Sequence, residues 1–244
     1  MDIINIRYMC HLRRIALITG VFLLALQANL SAQRGNYNYL DFENKPYYFG
    51  IVLAYNNSDY KISQSKDFLL NDSIRIAESL RGVGFNLGGI VNLKVGRYFD
   101  FRTQPTLSFA ERKLLYKSPG DIRAPYTRQI QSVLFEIPFH IRFKSEPYND
   151  KRFFLVTGVK YGVDVANDSR SRDAAELVKI APSDFMFEVG AGLQIFFPYF
   201  IFSPEIKYSH GLGNVMVIDP NLPQSNVIDR LVSRSITISF HFEG

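Results

Sequence analysis

The sequence predicts an all-β protein, an eight-stranded antiparallel up-and-down transmembrane β-barrel with long extracellular loops. Three observations predict it. Apolar and polar residues alternate with a period of two over about ten residues, and the pattern recurs eight times. The polar face of these segments mixes mid-strand charges with many glycines, as a crowded lumen requires and a solvated face does not. The connections alternate between long and short.

Each segment shows the alternation in its own residues. Tyr47, Phe49, Ile51, Leu53 and Tyr55 alternate with Tyr48, Gly50, Val52, Ala54 and Asn56. Phe85, Leu87, Gly89, Val91, Leu93 and Val95 then oppose Gly84, Asn86, Gly88, Ile90, Asn92 and Lys94. The third segment sets Phe99, Phe101, Thr103, Pro105, Leu107 and Phe109 against Asp100, Arg102, Gln104, Thr106 and Ser108. Val133, Phe135, Ile137, Phe139, Ile141 and Phe143 face away from Ser132, Glu136, His140 and Arg142. In the fifth, Phe153, Leu155, Val159, Tyr161 and Val163 oppose Gly158, Lys160, Gly162 and Asp164. Phe185, Phe187, Val189, Ala191, Leu193 and Ile195 oppose Glu188, Gly190, Gly192 and Gln194. Phe200, Phe202, Pro204, Ile206 and Tyr208 oppose Ser203, Glu205, Lys207 and Ser209. Last, Ile236, Ile238, Phe240 and Phe242 oppose Ser235, Thr237, Ser239 and His241.

Eight strands can also close into a soluble cup with the apolar face inside. The aromatic residues choose the membrane instead. Tyr47, Phe99, Phe143, Phe153 and Phe200 cluster near one set of strand ends, and Tyr55, Phe85, Phe109, Phe185 and Tyr208 near the other, as in interfacial girdles. Residues 57–83, 111–130, 166–183 and 210–233 read as long outer loops, and Gly96-Arg97, residues 145–151 and Pro198-Tyr199 as short periplasmic turns. Phe242 gives an aromatic-ended final strand. Pro105, Pro138 and Pro204 each remove a ladder donor and predict bulges or local kinks. Asp72-Ser73 before residues 74–81, and Asp173 before residues 174–180, are N-cap signals for short helical turns within loops.

Composition bounds the rest. The chain has 244 residues, a formal charge of +5 and a mean hydropathy of −0.04, so it is no polytopic helical membrane protein. Arg7, Arg13 and Arg14 precede the apolar residues 15–26, and small residues follow at Leu30-Ser31-Ala32, the order of a secretory signal peptide. The expected organisation is a leader over residues 1–32, a periplasmic lead over 33–46 and a barrel over 47–244 that is integral to the outer membrane after cleavage near Ala32. The one cysteine, Cys10, lies in the leader, which excludes a disulfide framework or a cysteine metal site in the mature chain. Loss of Arg7, Arg13, Arg14 and Asp2 leaves +3, too little to argue for nucleic acid.

Chemistry is sparse. His140, His210 and His241 sit on different strands, with His210 expected at the outer mouth and His241 at the opposite end. Ser239 and His241 share a face but at the periplasmic end, and Ser209 and His210 are adjacent, so they point to opposite faces. The residues argue against an enzyme, and no catalytic, cofactor-binding or metal-binding residue is assigned; no cofactor is expected. The polar parity carries ten charges, Lys94, Asp100, Arg102, Glu136, Arg142, Lys160, Asp164, Glu188, Glu205 and Lys207, in an interior just wide enough for side chains to fill. They read as a structural ionic network, or alternatively as a narrow ion path or a polar surface for a plug. Residues 111–130 carry Arg112, Lys113, Lys117, Arg123 and Arg128 against Glu111 and Asp121, a possible loop contact with lipopolysaccharide phosphates or an acidic partner.

Four stretches carry a resemblance: FENKPYYFGIVLAYNNSDYKI at 42–62, GVGFNLGGIVNLKVGRYFDFRTQPTLSFAERKLLY at 82–116, FEIPFHIRFKS at 135–145 and GVKYGVDVA at 158–166. In these the chain resembles the PorT (also SprT) proteins of the Bacteroidetes type IX secretion system, within the broader outer-membrane β-barrel group. The resemblance implies a non-enzymatic integral outer-membrane component, accessory or structural, needed to export proteins with C-terminal signals and in gliding relatives to support motility. It implies other secretion-system components as partners, beside outer-membrane lipid and lipopolysaccharide. The alternative function is that of a small barrel acting as an adhesin or narrow channel.

Overall fold

Lipid offers a backbone amide no partner, so strands that cross it must close into a ring. This chain does so. The computed structural model describes residues 38–64, 76–117, 126–165, 179–217 and 228–244, within the unit Asn36–Gly244. The expected leader and its cleavage position lie outside the described residues, as does the cap signal at Asp173.

A short helix, α1 (Tyr39–Glu43), leads into twelve strand segments. These are β1 (Tyr47–Gln64), β2 (Ile76–Leu80), β3 (Gly82–Lys94), β4 (Phe99–Thr103), β5 (Thr106–Lys117), β6 (Tyr126–Lys144), β7 (Lys151–Asp164), β8 (Lys179–Ile180), β9 (Ser183–Phe196), β10 (Ile201–Gly211), β11 (Met216–Val217) and β12 (Ile228–Glu243). β2 and β3 form one span interrupted at Arg81, and β4 and β5 one span interrupted at Gln104-Pro105. Among the described residues β8 and β11 pair only with each other. Eight antiparallel spans therefore form the wall, in the order β1, β12, β10, β9, β7, β6, β4/β5, β2/β3, and β3 pairs back onto β1.

The register fixes the shape. From Asn57 of β1 the facing residues run Ile236, Tyr208, Val189, Thr157, Ile141, Phe101 and Leu93, and return to β1 at Tyr47. One circuit is thus displaced by ten residues, an even number that preserves the in–out alternation. Ten residues of about 3.3 Å rise over eight strands about 4.8 Å apart give a tilt of about 41°. At that tilt the stretch from Tyr47 to Asn57 stands about 25 Å tall, the height of the apolar band of an outer-membrane barrel.

The two faces differ as the alternation requires. All ten girdle aromatics are exposed on the outer wall, with Phe85 stacked on Phe109 at 4.6 Å between ring centres and Phe99 against Phe143 at 5.4 Å. Among the described residues, buried polar and charged side chains outnumber buried apolar ones two to one, the inverse of a protein folded in water. Inward glycines make this filling possible. A Cβ on Gly158 would lie 2.1 Å from the Phe139 carbonyl and 2.8 Å from the His140 ring, and one on Gly190 would lie 2.7 Å from Lys207 Cγ.

Several expectations need correction. The prolines cause no bulge: pairings on either side of Pro105, Pro138 and Pro204 keep one register. The register sets Gln104-Pro105 opposite Ile137-Pro138, so two missing donors share one gap in the ladder. The long connections are partly strand. β1 runs to Gln64, β5 to Lys117, β6 starts at Tyr126 and β12 at Ile228, because a strand already paired in the membrane keeps satisfying its amides by pairing above it. Of the helical turn expected over residues 74–81, the described part is strand instead: Ile76–Leu80 form β2, paired with Lys113–Lys117. A waiting strand partner overrides the local cap signal. The turn between β6 and β7 closes on Asn149 and Asp150, at φ of 45° and 58°, the geometry that a two-residue hairpin demands.

If the apolar face meets lipid, charge on it is costly at mid-band and cheap at the rim. Leu53→Arg is expected to destabilise the barrel by about 2–4 kcal/mol and Asn57→Arg by about 0–1 kcal/mol, measured by denaturant unfolding in lipid vesicles.

Candidate functional site

Among the described residues the lumen holds most of the buried charge. Two ionic groups occupy it. Toward the short turns, Arg142 on β6 donates from Nη2 and Nε to Asp100 Oδ2 at 2.6 and 3.2 Å, and from Nη2 to the Tyr48 hydroxyl. Lys144 Nζ takes the other Asp100 oxygen at 2.6 Å. Beside them Arg102 donates to Glu243 at 2.7 Å and to Asn92 Oδ1 at 2.9 Å, and contacts His241 Nδ1 at 3.2 Å. Phe154 lies under the Arg142 guanidinium, 5.0 Å from its carbon to the ring centre.

Further along the axis Lys160 sits between Glu136 and Glu188, 3.1 Å from each. Glu188 accepts a hydrogen bond from Ser209 at 2.6 Å and lies 2.7 Å from His140 Nε2. Lys207 bridges Glu205 at 3.1 Å and Gln104 at 2.7 Å. Of the ten charges taken from the polar parity, eight are buried in these two groups. The other two stand at the ends. Lys94 is half-buried at the short-turn mouth, and Asp164 is half-buried in a cavity that Arg112, Glu136, Lys160 and Asp184 also line.

The alternation puts Tyr48, His140 and His241 on the inward face, where they join the ionic groups, and it stops short of Lys144, Arg152 and Glu243, which are buried there as well. All fall on the inward parity of their strands, so extending each strand by one or two residues would have found Lys144, Arg152 and Glu243. Arg112 is a correction. It is no loop residue but points inward from β5, donates to the Tyr60 hydroxyl at 2.9 Å and lies over that ring at 4.8 Å. Lys113, Lys117 and Arg128 fall on strands β5 and β6 rather than in a loop, and Arg123 lies outside the described residues.

Both mouths are covered by apolar clusters. At the long-connection end Tyr60, Val215, Met216 and Leu231 pack with Ile62 and Ile180, and the β8–β11 pair brings the last of these across the opening. At the other end α1 lies in the mouth with Phe42 against Phe196 and Ile201. Lys94 Nζ donates to the carbonyls of Phe42 and, at 3.0 Å, Glu43.

The serines and histidines make no nucleophile–base pair among the described residues. Ser209 and His140 both bond to Glu188 rather than to each other, and Ser239 donates to the Glu205 carbonyl at 3.4 Å. His210 lies on the outer wall, 3.4 Å from the Tyr208 hydroxyl, on the opposite face from Ser209. No group of three or more acidic, histidine or cysteine side chains among the described residues is placed to hold a metal.

A closed ring with an apolar outer wall, aromatic girdles and an ionic interior defines an integral outer-membrane barrel. The chain belongs to the outer membrane protein beta-barrel domain family, whose family model matches residues 28–217. Among solved structures it is similar to Ail, the attachment invasion locus protein of Yersinia pestis, in complex with the heparin analogue sucrose octasulfate. That match has 15% identity and a TM-score of 0.37, over 82% of this chain and 100% of that one. Neisserial surface protein A matches with 12% identity and a TM-score of 0.42, over 80% and 96%. OprG of Pseudomonas aeruginosa matches with 10% identity and a TM-score of 0.44, over 81% and 95%. No curated protein matches the chain.

Two predictions test these interactions. Asp100→Asn leaves Arg142 and Lys144 without their shared buried carboxylate and is expected to lower stability by about 3–5 kcal/mol in denaturant unfolding. At the exposed short turns Tyr98 donates to Glu146 at 2.6 Å and Arg97 at 3.0 Å. The Tyr98 hydrogen bond, then Arg97, hold the Glu146 carboxyl below its ordinary value. The small stabilisation from this contact is therefore present above the ordinary carboxylate range and lost as pH falls through the lowered value. Carboxyl-carbon NMR titration is expected to show Glu146 titrating low, and moving up in Tyr98→Phe.

Proposed function

We propose that this barrel is a non-enzymatic, accessory component of the type IX protein secretion machinery, acting as a membrane-anchored scaffold rather than as a conduit. The observation that carries the scaffold half is the lumen. It is filled by paired side chains, from Asp100, Arg142 and Glu243 to Glu136, Lys160 and Glu188, with an apolar cluster at each mouth. Eight strands leave room for side chains and not for a folded cargo. The secretion half rests on the resemblance of residues 42–62, 82–116, 135–145 and 158–166 to the PorT proteins. In this reading residues 1–32 are a leader removed near Ala32 and residues 33–46 face the periplasm. The remainder anchors other secretion components in the outer membrane, in contact with lipid and lipopolysaccharide.

One observation favours a second reading as an adhesin. β1, β5, β6 and β12 continue beyond the apolar band, so paired strands extend above the membrane. Surface binding lost on trimming residues 113–128 would support that reading.

Deletion of the gene in its source bacterium, with complementation, tests the secretion reading. The expected result is loss of exported proteins that share a C-terminal signal domain, with their precursors held in the periplasm; normal secretion would sink it. In planar bilayers the purified barrel is expected to give no conductance above the lipid background, and steady single-channel steps would overturn the scaffold reading.

A further inference from the structure

The lumenal charges are not evenly distributed along the axis. Among the described residues, the half next to the short turns holds five inward cations, Lys94, Arg102, Arg142, Lys144 and Arg152, against two inward carboxylates, Asp100 and Glu243. The other half reverses this, with Arg112, Lys160 and Lys207 against Glu136, Asp164, Asp184, Glu188 and Glu205. Charge buried in a narrow lumen calls for a counter-charge. At the short-turn mouth that counter-charge comes from α1.

The fit between α1 and the mouth is chemical as well as steric. Phe42 is buried in a notch between Phe196 and Ile201. The two carbonyls at the helix's C-terminal end, the negative end of its dipole, both accept from Lys94 Nζ. The Glu43 carboxylate approaches Arg152 at 3.8 Å, and Arg152 Nε is buried with no hydrogen-bond partner. α1 is short. It has five residues, its N-cap residue Asn38 makes no capping bond, and Leu40 is exposed. Its N-terminal end is tied to the barrel by Asp150 Oδ1, which accepts from the Tyr39 amide at 3.1 Å, and by Asn38, which donates to the Phe196 carbonyl at 3.3 Å. A helix this short has little stability of its own.

We propose that the short-turn mouth is a docking site for an acidic segment bearing an aromatic residue on a periplasmic partner, and that Tyr39–Glu43 is its intramolecular occupant. The aromatic ring fills the notch, and the carboxylates and carbonyl end answer the surplus of buried cations. The site stands on the mouth itself and does not depend on the secretion reading, so normal secretion after gene deletion would leave it intact.

The test uses the mature full-length chain folded in detergent, with a fluorescein-labelled synthetic peptide of residues 36–46 as the probe. Phe42→Ala with Glu43→Gln loosens the chain's own segment. This variant is expected to bind the peptide saturably, and more weakly as salt rises. Replacing the peptide's Asp41 and Glu43 by the amides, or adding Lys94→Gln to the barrel, is expected to weaken binding at least about tenfold. In the wild-type chain, excess peptide is expected to speed hydrogen exchange at the amides of residues 39–43. Absence of saturable binding to a variant that keeps its folded gel mobility overturns the proposal, and so does binding indifferent to the peptide's carboxylates. Should the variant lose its folded mobility, the wild-type exchange decides alone, and unchanged exchange overturns the proposal.

Discussion

Everything in this molecule follows from the absence of water beside its backbone. In the hydrocarbon layer an unpaired amide has nothing to bond to, so the sheet must return to its starting strand. Return fixes the displacement around the ring, and an even displacement keeps every side chain on its own face. From that single requirement come the apolar exterior, which the lipid accepts, and an interior too narrow for bulk water and too polar to be left empty. Arg102, Arg142 and Lys160 are not decorations on a hydrophobic core; with their carboxylates they are the core.

The interior solves two problems together. Volume is set by glycines such as Gly158 and Gly190, whose missing side chains leave room for His140 and Lys207 on the next strand. Most of the charge is met by local pairing: Asp100 lies between Arg142 and Lys144, and Glu188 pairs with Lys160 and hydrogen-bonds His140 and Ser209. Shared partners make the network stiff, because moving one group leaves another unpaired in a place where that is costly. Among the described residues the clusters of buried apolar side chains lie at the two mouths, where Phe42 and Met216 shield the ends of the polar column.

How much of this could be read beforehand follows from the length scale of each feature. The period of two is written in neighbouring residues such as Phe85, Leu87 and Val91, so strand identity, face and fold class were all legible. Which charges meet depends on register between strands, which no short pattern encodes. Nothing local says that Lys160 lies between Glu136 and Glu188, or that Glu243 at one end of the chain reaches Arg102. Arg112 was misplaced because a run of basic residues resembles a loop when the strand's extension beyond the membrane is not visible. The segment 74–81 was misread for a related reason, since its capping residues speak for a helix only until β5 offers a ladder. The helix α1 went unnoticed because five residues carry too little periodicity to announce themselves.

The ladder between β1 and β12 joins the first strand of the wall to the last, in register from Gly50 to Ser63. Until β12 has been made and delivered, β1 presents an unpaired edge and the growing sheet a second one at its other side. Such edges invite pairing with any other chain, and contacts so distant in sequence form late. The wall therefore has no stable half-built state in lipid. The chain must be kept apart from its neighbours until β12 arrives, and insertion and closure become one event whose timing is set by that strand.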